Sequence, residues 1–150
     1  MIKFTDLSIF DCNTQAVINT VNCKGVMGKG IALEFKQKYH DNYIKYKKYC
    51  EEGKLTPGGI FITKVDNSSS PEYIVNFATK DEWWFPSQYD WIEDGLTLLH
   101  GWLLRRNIVS IACPLLGCGN GGLKVDKTVE LIHSKLNDID CEVLISQYKH

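Results

Sequence analysis

The sequence predicts an α/β fold in which a central, largely parallel sheet is covered by helices on both faces. Three observations carry this. Short apolar runs alternate along the chain with segments of helical period. Most of those runs are near-continuous rather than alternating, as strands buried on both faces are. No repeat, linker or low-complexity stretch divides the 150 residues, a length that suits a single domain, 1–150, with a sizeable core.

The elements follow in order. Met1 to Phe10 reads as an opening strand and its exit, and Ala16 to Thr20 as a short buried strand. Ile31 to Tyr39 has the spacing of a helix, His40-Asp41-Asn42 breaks it, and Tyr43 to Glu52 resumes as an amphipathic helix. Gly53 and Pro57-Gly58-Gly59 punctuate the chain before a strand at Ile60–Val65. A polar turn over Asp66 to Pro71 leads to a strand at Tyr73–Phe77, so these two strands form a hairpin-like or adjacent pair. Ala78 to Pro86 is a loop, and Tyr89 to Arg105 a long amphipathic helix. A strand at Ile108–Cys113, a glycine-rich loop at Leu116–Leu123, a helix at Asp126–Leu136 and a strand at Cys141–Ser146 complete the chain.

Ligands of parallel sheets sit off the carboxyl ends of the strands. Three loops that follow strands therefore converge on one rim: Val21–Gly30, Ala78–Pro86 and Pro114–Leu123. The first, Asn19-Thr-Val-Asn22-Cys-Lys-Gly25-Val-Met-Gly28-Lys-Gly30-Ile31, joins a strand to a helix through glycines. Such a loop aims backbone N–H groups and a helix N-terminus at an anion, and its asparagines suit sugar hydroxyls. The alternative is a glycine-rich connection with no ligand. Gly25 and Gly30 have P-loop spacing, but Ile31 stands where the lysine belongs, which excludes a nucleotide triphosphatase. Gly117-Cys-Gly119-Asn-Gly121-Gly122 contains G-x-G-x-x-G, yet only 28 residues follow Gly122, too few for the second half of a dinucleotide-binding fold.

Composition excludes further classes. The chain is 44% hydrophobic and 23% charged with a net charge of −1, an ordinary globular balance with no global basic field for nucleic acid. Any polynucleotide contact must be local. There is no long apolar run and no leader pattern, so the expectation is a cytoplasmic protein without a membrane segment. The six cysteines form no C-x-x-C pair, and several lie in apolar strand-like runs, as reduced buried thiols do. The four histidines are dispersed and no H-E-x-x-H occurs, so no metal site is expected.

One stretch carries chemistry-bearing side chains, Asn76-Phe-Ala-Thr79-Lys80-Asp81-Glu82-Trp83-Trp84. A lysine in a partly dry cleft acts as nucleophile or acid–base group through a lowered pKa. The plainer reading is a surface lysine paired with Asp81 or Glu82. Trp83 and Trp84 offer stacking faces for a base, or else cap the core. Ser8 and Asp11 near the first strand's exit suit a turn.

These residues resemble a known family. Asn19-Thr-Val-Asn22-Cys with Val26-Met-Gly-Lys-Gly-Ile-Ala-Leu-Glu-Phe-Lys36 is similar to the macrodomain signature, and specifically to its DNA ADP-ribosyl glycohydrolase (DarG-type antitoxin) branch. Asn76-Phe-Ala-Thr-Lys80 with Trp83, Pro86-Ser87 and Trp91 to Leu96 resembles the same branch, as does Pro114 to Leu123. The resemblance implies a three-layer α/β/α macrodomain, with a central mixed, largely parallel sheet, that binds ADP-ribose across the three loops and needs no cofactor. It implies that Lys80 and Asn22 are catalytic, Asn22 orienting the distal ribose and Lys80 acting either as an attacking neutral amine or as an ammonium that stabilises the leaving thymine. The implied ADP-ribose-binding residues in the first half are Ser8, Ile9, Asn19, Thr20, Asn22, Val26, Met27, Gly28, Lys29, Gly30 and Ile31. Those in the second half are Thr79, Leu116, Gly117, Cys118, Gly119, Asn120, Gly121, Gly122 and Leu123. The implied reaction removes ADP-ribose from thymine bases of single-stranded DNA, undoing a toxin's modification. Proximity in sequence makes Asp81 or Glu82 a candidate acid–base assistant to Lys80. The implied partners are ADP-ribose, ADP-ribosylated single-stranded DNA and a cognate ADP-ribosyltransferase toxin, with the chain itself a monomer.

Two positions depart from patterns of the wider family. Leu7-Ser8 stands where many macrodomains have Gly-Asp for the adenine amine, so Ser8 offers a hydrogen bond without a charge. Gly121 stands where a deacylating branch carries an acid, which argues against protein-ester substrates. Two other functions stay open at this level: a phosphatase for ADP-ribose 1″-phosphate, and an ADP-ribose-binding module without catalysis.

Overall fold

The computed structural model describes residues 1–66 and 70–149. Its strands are β1 (Ile2–Thr5), β2 (Ala16–Val21), β3 (Ile60–Lys64), β4 (Tyr73–Ala78), β5 (Ser110–Cys113) and β6 (Glu142–Ser146). Its α-helices are α1 (Gly30–Lys38), α2 (His40–Glu51), α3 (Tyr89–Arg105) and α4 (Val125–Leu136). The strands form one sheet in the order β1-β6-β5-β2-β4-β3, parallel except for β3, which runs antiparallel to β4 at the edge.

Alternate residues of each strand feed opposite faces. On β4, Val75 and Phe77 join the larger core with Leu96 of α3 and Ile132 of α4. Ile74 and Ala78 face the other way, toward Phe35 of α1 and Tyr46 of α2 respectively. Both faces are thus covered, and three layers result. Helix α3 approaches the sheet closely because Gly95 has no side chain: a Cβ there would lie 2.2 Å from Cζ of Phe77.

The structure moves one expected boundary. The chain breaks at Tyr39 alone, and α2 already begins at His40. Asn42, expected in the break, lies inside this helix and is buried. Its amide exchanges hydrogen bonds with Asn76 of β4 at 3.1 and 2.8 Å and accepts one from Thr63 at 2.7 Å. A polar residue inside a helix reads as a breaker from sequence, but these partners satisfy it in the interior. Part of the turn expected over 66–71 lies outside the described residues. Among the described residues, no helix is long and apolar enough to cross a membrane.

Candidate functional site

Past its strand end, β2 continues to bond with the segment that follows β4. The Val21 carbonyl accepts from the amides of Thr79 and Lys80 at 3.0 and 3.4 Å, and the Cys23 amide donates to the Asp81 carbonyl at 2.9 Å. The Cys23 thiol donates to the Lys80 carbonyl at 3.4 Å. Burial, with the Asp81 carboxylate next, pushes that thiol up to about 12, so it stays protonated as a donor. This pairing sets Lys80 against the first glycine loop.

The first loop is braced from inside by Asn22. Its Oδ1 accepts from the amides of Lys24 at 2.9 Å and Val26 at 3.4 Å, while its Nδ2 donates to the Val26 carbonyl at 2.8 Å. The fully buried Tyr46 of α2 donates its hydroxyl to the Asn22 carbonyl at 2.6 Å. The loop then enters α1, whose N-cap residue Lys29 makes no side-chain cap and whose first turn holds no acid. Its leading N–H groups are thus left uncapped by a side chain.

The second glycine loop is held from three sides. The Thr128 hydroxyl of α4 donates to the Leu116 carbonyl at 3.1 Å, the Ser87 amide donates to the Gly121 carbonyl at 2.9 Å, and the Leu123 amide donates to the Gly117 carbonyl at 2.9 Å. Gly117 has φ +73°, and a Cβ there would lie 2.7 Å from Cδ1 of Leu123, so both dihedral and space call for glycine. At Gly121 a Cβ would lie 2.5 Å from the Ser87 hydroxyl oxygen. An acidic side chain at that position would displace Ser87.

Between the two loops lies a cavity of about 750 Å³, within the range of sites for cofactor-sized ligands. Its walls come from the carboxyl ends of β2, β4, β5 and β6. Of the residues implicated by sequence, the first segment contributes Thr20, Asn22, Val26, Gly28, Lys29, Gly30 and Ile31, the middle one Thr79, Lys80 and Trp83, and the last Gly117, Cys118, Gly119, Asn120 and Gly121. Among the described residues, three lysines line it, Lys29, Lys80 and Lys149, and no carboxylate does. That balance favours an anionic occupant.

Lys80 is the chemically distinctive wall residue. Its Nζ donates to the Trp83 carbonyl at 3.2 Å. Burial, and then the like charge of Lys29, hold its pKa below the ordinary lysine value. The ion pair considered in sequence belongs to another lysine: Lys24 reaches Asp81 at 3.6 Å and Glu82 at 3.4 Å. Neither acid lines the cavity.

Other implicated residues stand outside the wall. Asn19 is fully buried on the face toward α1 and α2 and donates to Asn76 Oδ1 at 3.1 Å. Met27 and Leu116 are core side chains that support their loops from behind. Gly122 and Leu123 close the second loop, and Trp84 lies beyond the rim. Ser8 caps a 3₁₀ turn at Ile9–Asp11, its hydroxyl accepting from the Phe10 amide at 3.3 Å, while Ile9 packs in the core. The expected adenine contact thus has its hydroxyl engaged in a turn.

Sequence reasoning missed one wall, the end of β6 and the tail that follows it, where Ser146, Gln147, Tyr148 and Lys149 line the cavity. The Ser146 hydroxyl donates to the Leu7 carbonyl at 2.6 Å, which ties this tail to the exit of β1. The available signal was topological, since β6 is parallel to its neighbours and its carboxyl end must open on the same rim. Val125 and Ala32, at the starts of α4 and α1, complete the wall.

Comparison with known proteins places this geometry. The Macro domain family profile matches residues 18–132. The DNA ADP-ribosyl glycohydrolase of Mycobacterium tuberculosis is 39% identical over 146 residues, 95% of this chain and 42% of that protein. This chain thus spans about two fifths of the length of the curated relatives it matches. The macrodomain of Thermus aquaticus DarG superposes with a TM-score of 0.93 at 38% identity, over 98% of both chains. Thermosipho africanus DarTG, solved in complex with ADP-ribose, superposes with a TM-score of 0.91 at 28% identity, over 97% of this chain and 41% of that one. The chain belongs to the macrodomain family, on the branch of the DarG macrodomains.

Proposed function

We propose that this macrodomain is a DNA ADP-ribosyl glycohydrolase. It binds ADP-ribose between its two glycine loops and removes it from thymidine bases of single-stranded DNA, reversing the work of a cognate ADP-ribosyltransferase toxin. It acts in the cytoplasm as a monomer. The observation that carries the reading is Lys80, a lysine with a lowered pKa in a cavity lined, among the described residues, by cations and by no carboxylate. The relatives named as DNA ADP-ribosyl glycohydrolases support it.

The residues present suffice for the chemistry. The N-terminus of α1 and the amides of the second loop hold the two phosphates, and the braced first loop encloses the distal ribose. The neutral Lys80 amine attacks the anomeric carbon of that ribose. As the new C–N bond forms, the bond to thymine breaks and its electron pair leaves on the thymine nitrogen. The proton shed by the alkylated amine goes to that nitrogen. Water then adds to the anomeric carbon, releasing ADP-ribose and restoring the amine. Lys29 favours the neutral amine, because a nearby positive charge destabilises an ammonium.

The test is a gel assay on a single-stranded oligonucleotide carrying one ADP-ribosylated thymidine, with wild type and Lys80→Ala. Loss of the modification with wild type alone is the expected result. Full activity in Lys80→Ala overturns the role of Lys80. Inactivity of both, with phosphate released from ADP-ribose 1″-phosphate, establishes the phosphatase instead. Binding of ADP-ribose without turnover of either substrate leaves a binding module.

A further inference from the structure

Directly beside the Lys80 cavity the surface carries three consecutive aromatic residues, Trp83, Trp84 and Phe85, exposed by 48%, 57% and 56%. They pack on one another rather than into the core. Trp83 and Trp84 meet edge to face, with centroids 5.2 Å apart at 85°, and Trp84 and Phe85 lie 5.7 Å apart at 43°. Burying such side chains elsewhere in the fold would be favourable, so three of them held side by side in water mark an interaction surface.

The patch is continuous with the site. Trp83 lines the cavity and its carbonyl accepts from Lys80 Nζ at 3.2 Å, whereas Trp84 and Phe85 lie outside the wall. The aromatic ridge therefore begins at the group that does the chemistry and runs outward from it. Because its rings are inclined to one another by 85° and 43°, it presents separate faces, which suits individual unpaired bases better than one flat ligand. The neighbouring acids, Asp81 and Glu82, are both engaged by Lys24, while the cavity side presents Lys29 and Lys149. Aromatic faces beside cations are what unpaired nucleotides require, since each base has a stackable face and each linkage a negative charge.

We propose that Trp84 and Phe85 form a stacking platform for the unpaired nucleotides flanking the modified thymidine, making this rim the device that selects single-stranded over duplex DNA. The inference rests on the proposed function and adds to it the recognition of substrate beyond the ADP-ribosylated nucleotide. Bases in a duplex are already stacked on their neighbours and cannot lie on the ridge.

The experiment compares Trp84→Ala, Phe85→Ala and the double variant with wild type on two substrates having the same scissile bond. One is ADP-ribosyl-thymidine as a free nucleoside, the other the same nucleoside inside a short single-stranded oligonucleotide. Calorimetric ADP-ribose affinity equal to wild type serves as the control for folding. The expected result is a rise in KM on the oligonucleotide of about tenfold for the double variant, equivalent to about 1.4 kcal/mol, with nucleoside kinetics unchanged. Equal effects on both substrates, or none on either, overturn the platform. If wild type hydrolyses neither, the glycohydrolase reading fails, and the platform is then decided by fluorescence anisotropy of an unmodified single-stranded oligonucleotide with an unlabelled duplex as competitor. Binding lost in the double variant and not competed by duplex supports it. Binding unaltered in the variant, competed equally by duplex, or absent from wild type overturns it.

Discussion

The hydroxyl of Tyr46, in the middle of α2, donates to the backbone carbonyl of Asn22 at 2.6 Å and lies 3.1 Å from that residue's Oδ1. One phenol from the helical layer thus anchors the residue around which the first ligand loop is wound. Burial raises the Tyr46 pKa far above that of a free phenol, so the group remains a donor throughout the working pH range. Tyr46→Phe keeps the packing and leaves the Asn22 carbonyl short of a partner. A stability loss of about 1 kcal/mol is expected in thermal or urea melts. Calorimetric ADP-ribose affinity should fall several-fold, because a looser loop must be ordered on binding. Unchanged affinity would show that the loop holds its shape without this anchor.

Lys80 makes the pH dependence diagnostic. In the proposed mechanism a neutral amine attacks, so single-turnover rates should rise with pH and level off at a pH below the ordinary lysine value, since burial and Lys29 lower the Lys80 pKa. Lys29→Gln removes the like charge, raises that pKa and moves the rising limb to higher pH. A rate that instead falls as Lys80 loses its proton would show that the ammonium acts by stabilising the departing thymine.

Asp81 and Glu82 flank Lys80 in sequence but pair with Lys24 at the surface. Asp81→Asn and Glu82→Gln are expected to change turnover by no more than about twofold, the scale of exposed ion pairs. A hundredfold loss in either variant, of the size typical of a removed general acid or base, would place that carboxylate in the reaction.

Gly95 tests the packing that supports the site. A methyl group there collides with the Phe77 ring, which is fully buried. Gly95→Ala should therefore destabilise the fold by about 1–3 kcal/mol by overpacking, even though alanine is the better helix former. Gly95→Ala combined with Phe77→Leu should recover part of the loss. A single variant as stable as wild type would mean that α3 can shift away from the sheet.

The alternation of apolar runs and helical segments was enough to find each strand and α-helix, though not the 3₁₀ turn at Ile9–Asp11 that follows β1, because strands such as β2 and β4 are bounded by loops with strong turn chemistry. Residues 40–42 were misplaced for a physical reason. Asn42 opposes a helix locally, but Asn76 and Thr63, 34 and 21 residues away, supply its partners. Sequence also singled out both glycine loops and Lys80, which the fold brings together around one cavity. It did not reveal that Asn22 is braced within its own loop, that Ser8 caps a turn, or that residues 146–149 form a wall.

Local chemistry along the chain, then, decides the order of elements, the glycine positions where a backbone must turn or be approached, and the presence of a lysine at a strand's exit. Whether that lysine is an ordinary surface charge depends on what surrounds it. The parallel β2–β4 pairing carries Lys80 toward the first loop, Lys24 takes the two carboxylates, and Lys29 with burial lowers the Lys80 pKa. Charge pairing and desolvation are set by distances between residues far apart in sequence, and folding alone establishes those distances.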